Sequence, residues 1–206
     1  MARAYVMRSA CCAAVLLIAI VGAALSVDAY NLFGTRLLSE KVFPHATRFR
    51  FGADRMAKAI EISRDHDTGK DIVFVGTSRV AFGFDLDAPP LAGLKTFNAA
   101  LSGAQAVEIA KVATYAADHW PGLRRIVWGI DYDSFFGRDD FIADFPDSGF
   151  AGAPLWPAYL RSLFAYEQMT QNYKILRQAM TTGRVAPEMK NNGQFLYDPG
   201  VLAQAH

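Results

Sequence analysis

Residues 10 to 27 read ACCAAVLLIAIVGAALSV, an uncharged run between Arg8 and Asp28. A helix of this composition has no polar face to turn toward water, and that restricts where the start of the chain can sit. At about 1.5 Å per residue the run just matches a hydrocarbon core of roughly 30 Å if its flanks contribute. Arg3 and Arg8 precede it. By the positive-inside tendency they keep the short N-terminus cytoplasmic and place everything after Asp28 on the outer side, the periplasm in a two-membrane bacterium. A cleaved signal peptide is the competing reading. Its apolar stretch is usually about 7 to 15 residues with a small-x-small exit, and Val27-Asp28-Ala29 is a poor one. The preferred division is therefore a cytoplasmic N-terminus at 1–9, a transmembrane anchor at 10–28, a connecting region with a short helix at 29–66 and an α/β domain at 67–206.

Cys11 and Cys12 are the only cysteines and both lie inside the apolar run. The outer part then has no disulfide and no thiol or Cys-metal chemistry. The 21 basic and 20 acidic residues nearly cancel, so no overall field favours nucleic acid. A chain of 206 residues has room for one domain with a substantial core.

Beyond the anchor, strand and helix patterns alternate. Residues 51–66 suit a short helix with Met56, Ala59 and Ile60 on one side. Ile72 to Val75 is a continuous β-branched and aromatic run, the pattern of a strand covered on both faces. Thr96 to Ala100 gives a second short strand after a Pro89-Pro90 and Gly93 loop. Ser102 with Gln105 matches a capping box, predicting a helix that carries Val107, Ile109, Val112, Ala113 and Ala116 and stops near Trp120-Pro121-Gly122. Arg125 to Ile130 reads as a third apolar strand ending at Asp131. Residues 155–180 have helical spacing with Gly183 as terminator. From Val185 onward only a polar loop with a few aromatics is expected. Strand, crossover, strand, helix, strand is the order of a parallel sheet with helices on its faces.

In such a sheet, ligands bind beyond the carboxyl ends of the strands. Ser78 follows the first strand, Ser102-Gly103 the second and Asp131 the third, so all three are expected to face one crevice. A serine in a tight turn made possible by Gly76 can present its hydroxyl beside backbone N–H groups. Those donors would stabilise an oxyanion if Ser78 attacked an acyl carbon, and Gly103 lets its own N–H approach closely. Arg79 is placed to bind an anionic group or to pair with Asp85 or Asp131.

GTSR with VAFGFD (from Gly76), FNAALSGAQ (from Phe97) and RRIVWGIDYDSF (from Arg124) resemble, in order and spacing, the first three motif regions of the SGNH (GDSL-like) hydrolases. The likeness is to a membrane-anchored bacterial envelope branch, and it spans about residues 55 to 136. It implies an SGNH (flavodoxin-like) three-layer α/β fold with a parallel sheet, incomplete in this chain and preceded by one transmembrane helix. It also implies Ser78 as nucleophile, Gly103 as oxyanion donor, no cofactor and no metal. The implied activity is that of a serine esterase or O-acyltransferase acting on acylated envelope polysaccharide, with the polysaccharide or its assembly proteins as partners. Two departures stand out. The family's third motif supplies an Asn as oxyanion donor, where this chain has Asp131. Its base comes from a late Asp-x-x-His, and none of the residues three before the four histidines (Val42, Ser63, Ala116 and Ala203) is Asp.

Family members also continue well past residue 206, so the expectation includes a truncated chain or a shortened pseudoenzyme. The alternative reading is a non-catalytic, membrane-anchored module that binds glycan or a partner in the same crevice. Other motifs carry less. GTSRVAFG lacks the Gly-Lys-Ser/Thr ending of a P-loop. The acidic residues from Asp131 to Asp147 lack the glycine that a calcium loop requires. Trp156, Tyr159, Tyr166 and Tyr173 of 155–180 suit a core face, with a partner surface as the alternative.

Overall fold

The computed structural model describes residues 2–35, 46–47, 54–65, 67–136, 144–182 and 189–195. The chain divides into two compact units, one formed by Met1–Pro44 with Tyr159–Ala186 and the other by His45–Ala158 with Pro187–His206.

In the first unit, α1 (Ala2–Val27) takes up the whole apolar run. Its segment Arg3–Val27 is long and apolar enough to be a membrane span or a signal, and little of it is buried. The helix ends in a reversal at Asp28 and Asn31, which adopt φ of +41° and +53°. Asp28 stabilises this otherwise disfavoured backbone. Its carboxylate accepts from the backbone N–H of Leu32 at 2.8 Å, Phe33 at 3.0 Å and Thr35 at 3.3 Å. The segment expected to be one helix is two, α5 (Trp156–Phe164) and α6 (Tyr166–Thr182). Ala165 divides them: its N–H closes a tight turn onto Ser162 while its carbonyl accepts from Met169 and opens α6. No Gly or Pro marks this break, so the spacing runs across it. Gly183, the expected terminator, lies outside the described residues. Ile175, Leu176 and Ala179 of α6 pack on Val27 and Ala29, and Asn172 accepts the Ala29 N–H at 3.3 Å.

The second unit is mixed α/β. It holds a small parallel sheet of β2 (Ile72–Val75), β3 (Thr96–Asn98) and β4 (Arg125–Trp128) in the order β3-β2-β4. The central strand is buried along its length, as its apolar run requires. Val73 and Val75 meet α2 (Asp54–Arg64) and α4 (Ala106–His119) through Ala59, Ile62, Ile109, Val112 and Ala116. Ile72 and Phe74 point to the other face, against Val80, Ala81 and Leu86. The strand β4 corrects the expected third apolar strand: it stops at Trp128, and Ile126 and Trp128 are exposed. It has β2 on one side and no partner strand on the other among the described residues.

The capping box also differs from expectation. The N-cap of α4 is Gln105, with Glu108 as its reciprocal partner, which moves Ser102 and Gly103 out of the helix into the turn before it. The tail contributes more than a loop. β1 (Ala46–Thr47) pairs antiparallel with β5 (Met189–Lys190), and Met189 and Phe195 are buried in the core on the Phe74 face.

Candidate functional site at the carboxyl end of the sheet

β2 lies between β3 and β4, so the connections leaving it diverge at its carboxyl end, where crevices form in open parallel sheets. Backbone pairing persists up to the corner: Leu101 N–H donates to the Gly76 carbonyl at 2.9 Å and Gly129 N–H to that of Val75 at 2.9 Å. Ser102-Gly103 and Ile130-Asp131 therefore emerge on either side of Thr77-Ser78.

The corner needs its glycine. A Cβ on Gly76 would stand 2.4 Å from Val80 Cγ2 and 3.1 Å from the Gly129 carbonyl oxygen. Val80 fills this space because it anchors α3 (Ser78–Gly83) on the strand ends. Thr77 caps α3, its Oγ1 accepting the Arg79 N–H at 3.4 Å. The result is a sharp turn from strand to helix with Ser78 at its first helical position.

Thr77, Ser78, Arg79, Gly103, Gln105 and Asp131 are among the residues lining one crevice of about 200 Å³. The four sequence-derived residues, Ser78, Gly103, Asp131 and Arg79, are thus brought together from three strand ends. Ser78 is half-buried, and its hydroxyl has no hydrogen bond among the described residues. Gly103 is exposed and adopts φ +65°, the left-handed conformation that favours glycine.

Asp131 is buried and engaged. The Thr77 hydroxyl donates to Oδ2 at 2.6 Å, and Arg79 pairs with Oδ1. Asp85, the other partner considered for Arg79, instead accepts from Gln194 at 3.2 Å. The Asp131 carboxylate thus lies against a guanidinium, which offsets the repulsion an isolated negative charge would impose on a developing oxyanion. Arg79 also reaches Asp133 at 3.5 Å, and its side chain is 71% exposed, so the pair is screened and contributes little to stability.

Among the described residues no histidine stands beside Ser78. His119 ends α4 with Nδ1 2.8 Å from the Tyr115 carbonyl oxygen and its ring stacked on Tyr115. It precedes the turn whose Arg124 and Arg125 N–H groups donate to Asp71, at the amino end of β2. That is the opposite edge of the sheet from Ser78. His45, His66 and His206 lie outside the described residues, as do Asp139 and Asp140 of the acidic run. No cluster of metal-ligating side chains occurs among the described residues.

The sequence reading missed how the Gly103 loop is held. Arg55, buried in α2, donates from Nη2 to the Ser102 carbonyl at 3.1 Å and to Glu108 at 2.9 Å. Asp54 accepts the Ser102 N–H at 2.9 Å. The Lys58 ammonium donates to the Ala100 carbonyl at 2.7 Å and sits 4.7 Å from the Phe195 ring centre. The signal was present: Asp54, Arg55 and Lys58 share the helical spacing of Ala59 and Ile62. A face with that spacing points inward whatever its polarity.

No family model, curated protein or solved structure matches this chain.

Proposed function

We propose that the chain is a membrane-anchored, SGNH-like protein facing the cell envelope, whose crevice handles acyl groups such as the O-acyl esters of envelope polysaccharide. The observation that carries this reading is the convergence of Ser78, Gly103 and Asp131 on one crevice at the strand order's switch point. In this reading the Ser78 hydroxyl attacks the acyl carbon. The Ser78 and Gly103 N–H groups receive the oxyanion, and Thr77 with Arg79 holds Asp131 as a compensated wall of the site. The base that takes the Ser78 proton comes from a histidine outside the described residues or from a partner. Ser78 and Gly103 keep the roles that the SGNH resemblance gives them, Asp131 stands where the family has an Asn and is positioned by its pairing instead of donating, and Arg79 supplies that pairing. α1 is the retained anchor, with its N-terminus in the cytoplasm.

Hydrolysis of p-nitrophenyl acetate by the full chain in detergent should fall to the enzyme-free rate in Ser78→Ala while the melting curve stays unchanged, because Ser78 sits at a surface corner. Wild-type turnover no faster than buffer would remove the enzymatic reading. A second reading rests on the lack of a base near Ser78 among the described residues: the crevice then binds acylated glycan, or a partner of an envelope assembly, without turnover.

A further inference from the structure

Helix α6 exposes three apolar side chains seven residues apart: Tyr166 is 84% exposed, Tyr173 64% and Met180 86%. Seven residues are nearly two turns, so the three form one stripe along the helix. On one flank of the stripe, Met169 and Leu176 line an apolar groove of about 350 Å³ against Ala19, Ile20, Ala23 and Ala24 of α1. On the other flank Lys174 and Arg177 are exposed. The buried side of the helix, Gln168, Asn172 and Ile175, faces away from the stripe.

Going round α6 from α1, the surface passes from apolar groove to aromatic stripe to a charged edge where Lys174 and Arg177 stand with Glu167. A helix resting in a bilayer interface has this order: apolar contact with acyl chains, tyrosines at headgroup depth, and cations reaching the phosphates. The alternative of a solvated helix leaves large apolar side chains in water beside a second helix whose Val15, Leu16 and Ile18 are also exposed. The stripe is continuous with that apolar surface through the groove, and this continuity identifies lipid as the occupant.

We propose that α6 lies in the interface of the membrane that α1 spans, with Tyr166, Tyr173 and Met180 at the boundary of headgroups and acyl chains and an acyl chain in the α1–α6 groove. The inference rests on the reading of α1 as a retained anchor. It adds a second contact that fixes the first unit against the bilayer, with Lys174 and Arg177 favouring anionic lipid.

The test uses the full chain with Cys11→Ser and Cys12→Ser, reconstituted in vesicles of phosphatidylcholine and phosphatidylglycerol. A nitroxide is placed in turn at Ile18→Cys, Tyr173→Cys, Met180→Cys and Glu167→Cys, and its collisions with oxygen and with a water-soluble nickel chelate are measured. The expected result is lipid-like accessibility at positions 18, 173 and 180, with nickel collisions several-fold below those at 167. A label at 18 in water would remove the anchor reading and this proposal with it. A label at 18 in lipid with 173 and 180 in water would overturn the proposal alone. Shielding of 173 and 180 from both reagents would mean that protein covers the stripe, which also overturns it.

Discussion

Arg55→Ala is expected to destabilise the second unit by about 3 to 5 kcal/mol, the cost of removing one partner from a buried ion pair. The Arg55 side chain is 2% exposed and its Glu108 partner is fully buried, so the substitution leaves carboxylates of Glu108 and Asp54 in the core without their cation. Water cannot take its place unless the core opens. The same guanidinium holds the Ser102 carbonyl, so the variant also releases the turn that presents Gly103. Trp120 is fully buried in the adjoining core, and its fluorescence during urea unfolding of the full chain reports the change. Arg55→Lys should recover only part of the loss, because one ammonium does not reproduce the planar fork that reaches both Ser102 and Glu108. A loss under about 1 kcal/mol for Arg55→Ala would mean that the cluster is hydrated and does not hold the loop.

The second large effect is a stability that rises with pH. Burial lowers the Lys58 pKa from 10.5 to about 8, with Asp54 and Glu61 pulling it partly back. Between those two values the unfolded chain holds the proton and the folded chain has released it. The unfolded state therefore binds more protons there, and stability increases with pH. Below pH 8 both states are protonated, and the full penalty of burying the ammonium is present. At 1.36 kcal/mol for each pH unit, the gain across the window is roughly 3 kcal/mol. The neutral amine still donates to the Ala100 carbonyl, so the contact that holds the loop survives. Urea unfolding at pH 7.5 and pH 10 should show most of this gain in the wild type relative to Lys58→Met, which keeps an unbranched stem and has no proton to lose. Equal pH slopes in the two proteins would show that the ammonium is solvated.

The parts legible in the sequence were those that depend on local chemistry. Ile72 to Val75 is apolar at every position and became the buried central strand. Gly76 and Ser78 mark the corner because few other residues make so sharp a turn. The parallel order then placed Gly103 and Asp131 beside it. What the sequence concealed depends on partners far along the chain. The spacing of Arg55 and Lys58 marks their side of the helix as inward, but their partners, Glu108 and the Ala100 and Ser102 carbonyls, are brought to them only by the fold. Ser102 is the cap the local pattern favours, yet its backbone is held in the preceding turn by Asp54 and Arg55, and the helix begins after Gln105. The pairing of β5 with β1 joins segments more than 140 residues apart, which no local pattern reports. At β4 the run of apolar residues was legible, but not that its outer side has no partner strand among the described residues.

An acyl-transfer site at the corner after β2 has a covalent signature. The full chain in detergent is treated with a fluorophosphonate, and the modified residue is located by mass spectrometry. The reagent phosphonylates a serine hydroxyl only where a base takes its proton and donors hold the phosphoryl oxygen, which are the conditions of acyl transfer. A single adduct on Ser78, absent from Ser78→Ala, is expected of such a site. A folded protein that carries no adduct, or carries it on another serine, would contradict it.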